Sequence, residues 1–102
     1  MKKRDQMKLS KMASGNLCLT LSEKIDWDQF EEYANQITGL LKAKVKQKNE
    51  SVVTIIWDIL IDDQPLKLVY DDYPLGVTIE SDNEDGDKKI LEIFEVLKKY
   101  EK

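Results

Sequence analysis

Residues 51–82 read SVVTIIWDILIDDQPLKLVYDDYPLGVTIESD, and the spacing of apolar residues in this stretch decides the fold class. Val53, Ile55, Trp57, Ile59 and Ile61 share one parity and are all apolar, whereas the alternate positions Val52, Thr54, Ile56, Asp58 and Leu60 are mixed. A period of two is the signature of a strand with one face turned to a core. Asp62-Asp63-Gln64-Pro65 then reads as a hairpin turn, because Asp tolerates the left-handed region and Pro65 blunts the returning strand. Leu66, Leu68 and Tyr70 continue the inward face. A second turn, Asp71-Asp72-Tyr73-Pro74, leads to Leu75, Val77 and Ile79 pointing inward, with Thr78 and Glu80 outward. Three consecutive antiparallel strands are expected.

Upstream, Leu17, Leu19 and Leu21 alternate with Cys18 and Thr20, which predicts a short first strand. Asp26 is a suitable helix N-cap, with Gln29 three residues on as capping-box partner and Ile25 and Phe30 placed for a hydrophobic staple. Phe30, Ala34, Ile37, Leu41 and Val45 recur at helical spacing, and Asn49 is the expected stop. Acids crowd the first turns (Asp28, Glu31, Glu32) and Lys42, Lys44, Lys46 and Lys48 the last, as the helix dipole favours. Downstream, Asp85 or Asp87 is expected to cap a second helix with the stripe Ile90, Ile93, Phe94, Leu97 and Tyr100, and with Lys98, Lys99 and Lys102 at its end. The prediction is one α+β domain over residues 16–102, in the order β-α-β-β-β-α. Its antiparallel meander carries both helices on one face, and the first strand joins by a crossover. Residues 1–15 read as a basic arm, disordered or vector-derived.

Composition narrows the chemistry. At 102 residues, 41% of them apolar, the chain has room for one core. It contains no histidine, which removes the commonest general base and transition-metal ligand. Its one cysteine, Cys18, excludes an internal disulfide, fits a reducing compartment and reads as an inert structural thiol. No apolar run approaches the roughly 18 residues of a membrane span, and no secretory signal is visible, so a cytoplasmic protein away from membranes is expected. Gly15, Gly39, Gly76 and Gly86 are scattered singly, with no phosphate loop or nucleophile elbow around them. The expectation is a protein that is not an enzyme, with no catalytic residue, cofactor or metal. Ser81–Glu92 does place Asn83, Asp85, Gly86 and Glu92 at calcium-loop positions, but Ser81 stands where an Asp belongs and Lys88 where an aliphatic residue is usual. An acidic turn feeding a helix N-terminus explains the same residues.

What the composition leaves is charge. Between Asp58 and Asp87 lie ten carboxylates against one base, Lys67. Residues 1–12 hold five bases and one acid, so the rest of the chain carries a formal −8 although the whole sums to −4. The pairs Asp62–Asp63 and Asp71–Asp72 fall at opposite ends of one strand, about 25–30 Å apart, and cannot form one site. Asp58, in the most apolar strand, is expected either to pair with a base such as Lys67 or to face a partner. Such a surface disfavours nucleic acid and attracts basic proteins. The expected partner-binding residues are Asp58, Asp62, Asp63, Asp71, Asp72, Tyr73 and Glu80.

The segments Trp57–Leu66 and Asp72–Ser81 resemble those of small bacterial toxin-immunity proteins of the contact-dependent inhibition type, and of similar short bacterial α+β domains in which an acidic hairpin precedes a final helix. The resemblance implies a cytoplasmic inhibitor that neutralises a basic toxin or nuclease by occlusion. A homo-oligomeric or housekeeping domain, for instance a homodimer, is the alternative.

Overall fold

The computed structural model describes residues 7–100; Lys102 and residues 1–6 of the expected arm lie outside them. Eight elements follow in order: β1 (Lys8–Lys11), β2 (Leu17–Ser22), α1 (Trp27–Leu41), β3 (Lys44–Glu50), β4 (Thr54–Ile61), β5 (Gln64–Asp72), β6 (Leu75–Glu80) and α2 (Glu84–Lys98). The strands form one six-stranded sheet in the order β1-β2-β6-β5-β4-β3, antiparallel at every pairing. α1 carries the chain from β2 across the sheet to its far edge. The meander then returns strand by strand until β6 fills the place beside β2.

The α+β class and the crossover are as expected, and two strands are added. β1 lies inside the segment read as an arm and pairs with β2 from Lys8↔Thr20 to Lys11↔Leu17. β3 replaces the expected last turns of α1. Both are edge strands whose residues are all exposed, so neither shows the alternation that betrays a half-buried strand.

α1 starts as its capping box dictates: the Asp26 carboxylate accepts from the Gln29 N–H at 3.0 Å while the Gln29 side chain accepts from the Asp26 N–H at 3.1 Å. It ends where Lys42 turns left-handed (φ 55°) and the Ala43 N–H reaches back to the Thr38 carbonyl at 2.9 Å. That closure satisfies the helix's last carbonyls and releases the chain as a strand. Val45, expected on the helical stripe, therefore sits half-exposed on β3 opposite Ile59. Lys44, Lys46 and Lys48 likewise line a sheet edge, where lysine discourages pairing with another chain.

Both helices cover the same face of the sheet. Phe30, Ala34 and Ile37 from α1 and Ile90, Ile93 and Leu97 from α2 meet Leu19, Ile55, Trp57, Ile59, Leu68, Tyr70, Val77 and Ile79 in one core. Phe30 lies edge-on to Trp57 with ring centroids 5.4 Å apart, and 5.7 Å from Tyr70. Tyr100, expected on the second stripe, is exposed.

α2 is capped by Asn83 rather than by Asp85 or Asp87, its side-chain oxygen accepting from the Gly86 N–H at 2.7 Å. Asp87 does something else: its carboxylate accepts from the Leu17 N–H at 2.8 Å and from the Asn16 amide, tying the helix start to the β1–β2 hairpin. The Leu17 N–H holds the Asp87 carboxyl below the usual carboxylate range. Because residues 84–92 are helical, the twelve-residue loop suggested by the calcium-like spacing is not formed.

Candidate functional site

The seven residues expected to bind a partner fall into three places. Asp58 and Glu80 lie mid-sheet on the face away from the helices, in the cross-strand row Cys18–Glu80–Lys67–Asp58–Gln47. Lys67 answers both acids in register, and its ammonium is 3.0 Å from Asp58. Thr78 donates to Glu80 at 3.3 Å. Of the two readings of Asp58, pairing with Lys67 is the one observed. Beside this row a shallow depression of about 360 Å³ opens between Leu60, Pro65 and Asp82. Cys18 is buried in the same row; burial, then the neighbouring Glu80 carboxylate, pushes its thiol pKa up, which suits an inert thiol.

Asp62 and Asp63 form the β4–β5 turn. Both adopt left-handed backbone, with φ 51° and 68°. A two-residue hairpin of this kind demands positive φ twice, and aspartate is one of the few non-glycine residues that supplies it. These two acids therefore have a local reason to be where they are. Asp62 is also engaged by Lys89 at 3.0 Å, and the same ammonium holds Glu92 at 2.7 Å. Those two carboxylates, Glu92 first, raise the Lys89 pKa.

The third place is the opposite end of the sheet, where the β3–β4 and β5–β6 connections stand side by side. The Asp72 N–H donates to the Val53 carbonyl at 3.0 Å and so joins the two turns. Tyr73 is 93% exposed and Val52 90%; Val53 at 51% and Leu75 at 37% complete an apolar tip. Val53 and Leu75 were expected to point inward; Val53 lies before β4 begins, and Leu75 is the first residue of β6, at the end of the sheet, where it is partly exposed. Asp71 borders the tip and accepts from Thr54 at 2.9 Å. Asp72 accepts from the buried Tyr70 hydroxyl at 2.5 Å. Burial first, then the Asp72 carboxylate, push the Tyr70 pKa up to about 12, with Asp26 and Asp28 of the α1 N-terminus adding to it. Acids from two segments, the end of β5 and the start of α1, thus lie around the Tyr70 hydroxyl.

This tip brings together Asp71, Asp72 and Tyr73 and leaves the other four expected residues elsewhere. Sequence reasoning turned Val53 and Leu75 inward and left Val52 among the mixed alternate positions. The available signal was Ser51, a turn-favouring residue standing between the charged segment that ends at Glu50 and the apolar run that starts at Val52. No cluster of three or more potential ligand side chains suited to a metal ion occurs among the described residues, and no described helix is long and apolar enough to cross a membrane.

Residues 7–99 match the model of a family described as "Protein of unknown function (DUF3630)". No curated protein and no solved structure matches the chain.

Proposed function

The chain belongs to the DUF3630 family, whose description assigns no activity, and from that premise we propose that it is a protein-binding module that docks a basic protein through the acid-bordered apolar tip. The observation that carries this reading is the near-complete exposure of Tyr73 and Val52 on adjoining turns next to Asp71 and Asp72. An exposed aromatic with aliphatic neighbours is the composition of an interface anchor. Carboxylates around it speed encounter with a positive surface and penalise a negative one. In its specific form the partner is a toxin or nuclease with a basic active-site groove, and the tip neutralises it by occlusion in the cytoplasm, as an immunity protein does. The lysine-guarded edges of β1 and β3 fit a module that meets its partner through turns rather than by adding a strand.

Affinity capture from native extract at low and high salt tests the proposal, with three proteins as bait: wild type, Tyr73→Ala, and the control Asp62→Asn/Asp63→Asn. A basic protein should be retained by wild type and control, and lost with Tyr73→Ala or with salt. Removing an anchoring tyrosine costs about 2 kcal/mol, roughly 30-fold in affinity. Retention by Tyr73→Ala, salt-independent capture, or self-association alone would overturn the proposal.

A further inference from the structure

A groove of about 340 Å³ lies between the first turns of α1 and the β3–β4 hairpin. Trp27 and Trp57, the two tryptophans of the chain, line it, and Asp28, Glu31 and Glu50 surround them. The ammonium of Lys48 lies 4.2 Å from the centroid of the Trp57 ring, a position in which the ring's negative face attracts a cation. Trp57 is only 3% exposed, so Lys48 helps to cover it. Among the described residues, no base stands within ion-pairing distance of Asp28, Glu31 or Glu50, and Lys48 itself makes no ion pair. Three carboxylates and an aromatic wall therefore share a single ammonium, delivered by a flexible side chain from an exposed edge strand.

We propose that this groove binds an organic cation, an alkylammonium or guanidinium group, which takes over the place of the Lys48 ammonium above Trp57. Lys48 is an internal stand-in for the ligand. Its ammonium shows the depth at which a cation settles, and its withdrawal exposes the ring. The entering group gains the same contact with the ring and adds a second positive charge among three negative ones. The inference deepens the reading above, since a lysine or arginine side chain of a basic partner is one source of the cation and a free polyamine is the other.

Both tryptophans line the groove, so intrinsic fluorescence reads its occupancy. The full chain is titrated with spermidine and, separately, with a short arginine-rich peptide, at ionic strength matched by sodium chloride. A saturable change is expected. Lys48→Ala should tighten binding by about two- to five-fold, because the internal competitor is gone, and Glu31→Gln should weaken it by a similar factor. Response to the peptide alone identifies a partner's side chain as the source; an equal or stronger response to spermidine identifies a free polyamine. No saturable change in either wild type or Lys48→Ala, or a change that neither substitution alters, would overturn the site. Tyr73→Ala should leave these titrations unchanged. Loss of capture by Tyr73→Ala without any fluorescence response would thus sink the cation site and spare the tip.

Discussion

Replacing Gly86 by alanine sets two effects of opposite sign against each other. Gly86 occupies the first turn of α2, where alanine normally favours a helix over glycine by up to about 1 kcal/mol. Space argues the other way. A Cβ on Gly86 would stand 2.5 Å from the Ser81 hydroxyl oxygen, 3.1 Å from the Ser81 Cβ and 3.3 Å from the Asn83 side-chain oxygen. Ser81 is not free to swing aside. It is buried, its hydroxyl donates to the Asn83 carbonyl at 2.8 Å, and it accepts from the Asn83 N–H at 3.3 Å. Either this bond or the Asn83 cap on Gly86 has to give. Overpacking of this kind costs about 1–3 kcal/mol, and a lost helix cap about 1 kcal/mol. The expected net effect of Gly86→Ala is a loss of about 1–2 kcal/mol after the propensity gain is credited. For a domain of this size that is a fall in Tm of about 4–8 °C per kcal/mol. Urea unfolding followed by circular dichroism measures it, with an unchanged m-value showing that the unfolded reference is the same. Ser81→Ala in the same background removes the closest atom, so the double variant should lose less than the two single losses added together. A Gly86→Ala protein more stable than wild type would refute the reasoning, since helix propensity would then outweigh the close approach.

Three further outcomes follow from the same contacts. Phe30→Ala empties the space between Trp57 and Tyr70 and should cost about 3–5 kcal/mol in urea unfolding; a loss under 1 kcal/mol would deny Phe30 its place at the centre of the core. The Tyr70 pKa is raised to about 12 in the folded protein, so its contribution to stability is complete below pH 10 and is lost as pH rises from 10 to 12. Asp72→Asn lowers the folded Tyr70 pKa, so in an alkaline unfolding series the loss should be smaller and should be complete at lower pH than in wild type; an unchanged profile would rule out the carboxylate as a cause. Asp87 is held below the usual carboxylate range, so it stabilises above the unfolded pKa and the contribution disappears as pH falls through the depressed folded value. Wild type and Asp87→Asn should therefore differ in stability at pH 7 and converge below pH 4. A gap that persists in acid would assign the effect to shape rather than charge.

Local chemistry was enough to read the centre of this protein. The alternation from Ile55 to Ile79, the capping box of Asp26 and Gln29, and the paired aspartates at Asp62 and Asp63 each express a constraint that acts within a few residues. Period, cap and turn are all written at that range. Charge was legible too, as a dense run of acids, and the separation of its two aspartate pairs followed from the length of β5.

What only the tertiary structure decided has a common physical cause: those features rest on groups supplied from far away in sequence. β1 and β3 bury no side chain, and backbone pairing with β2 and β4 makes them strands. Hence Val45, four residues after Leu41, imitated a helical stripe until the left-handed turn at Lys42 ended α1. Asp87 satisfies a helix cap's description, yet the unpaired Leu17 N–H, 70 residues distant, claims its carboxylate and leaves the cap to Asn83. The surface residues divide in the same way. Asp58, Asp62 and Glu80 resemble Asp71 and Asp72 in sequence. Lys67, Lys89 and Thr78 engage the first three, and Thr54 and Tyr70 engage the last two; what sets Asp71 and Asp72 apart is the meeting of two turns at the Asp72–Val53 hydrogen bond, which places exposed Tyr73 and Val52 beside them. A sequence states which residues carry charge or oil; which of them remain free to meet another molecule depends on the partners folding brings to them.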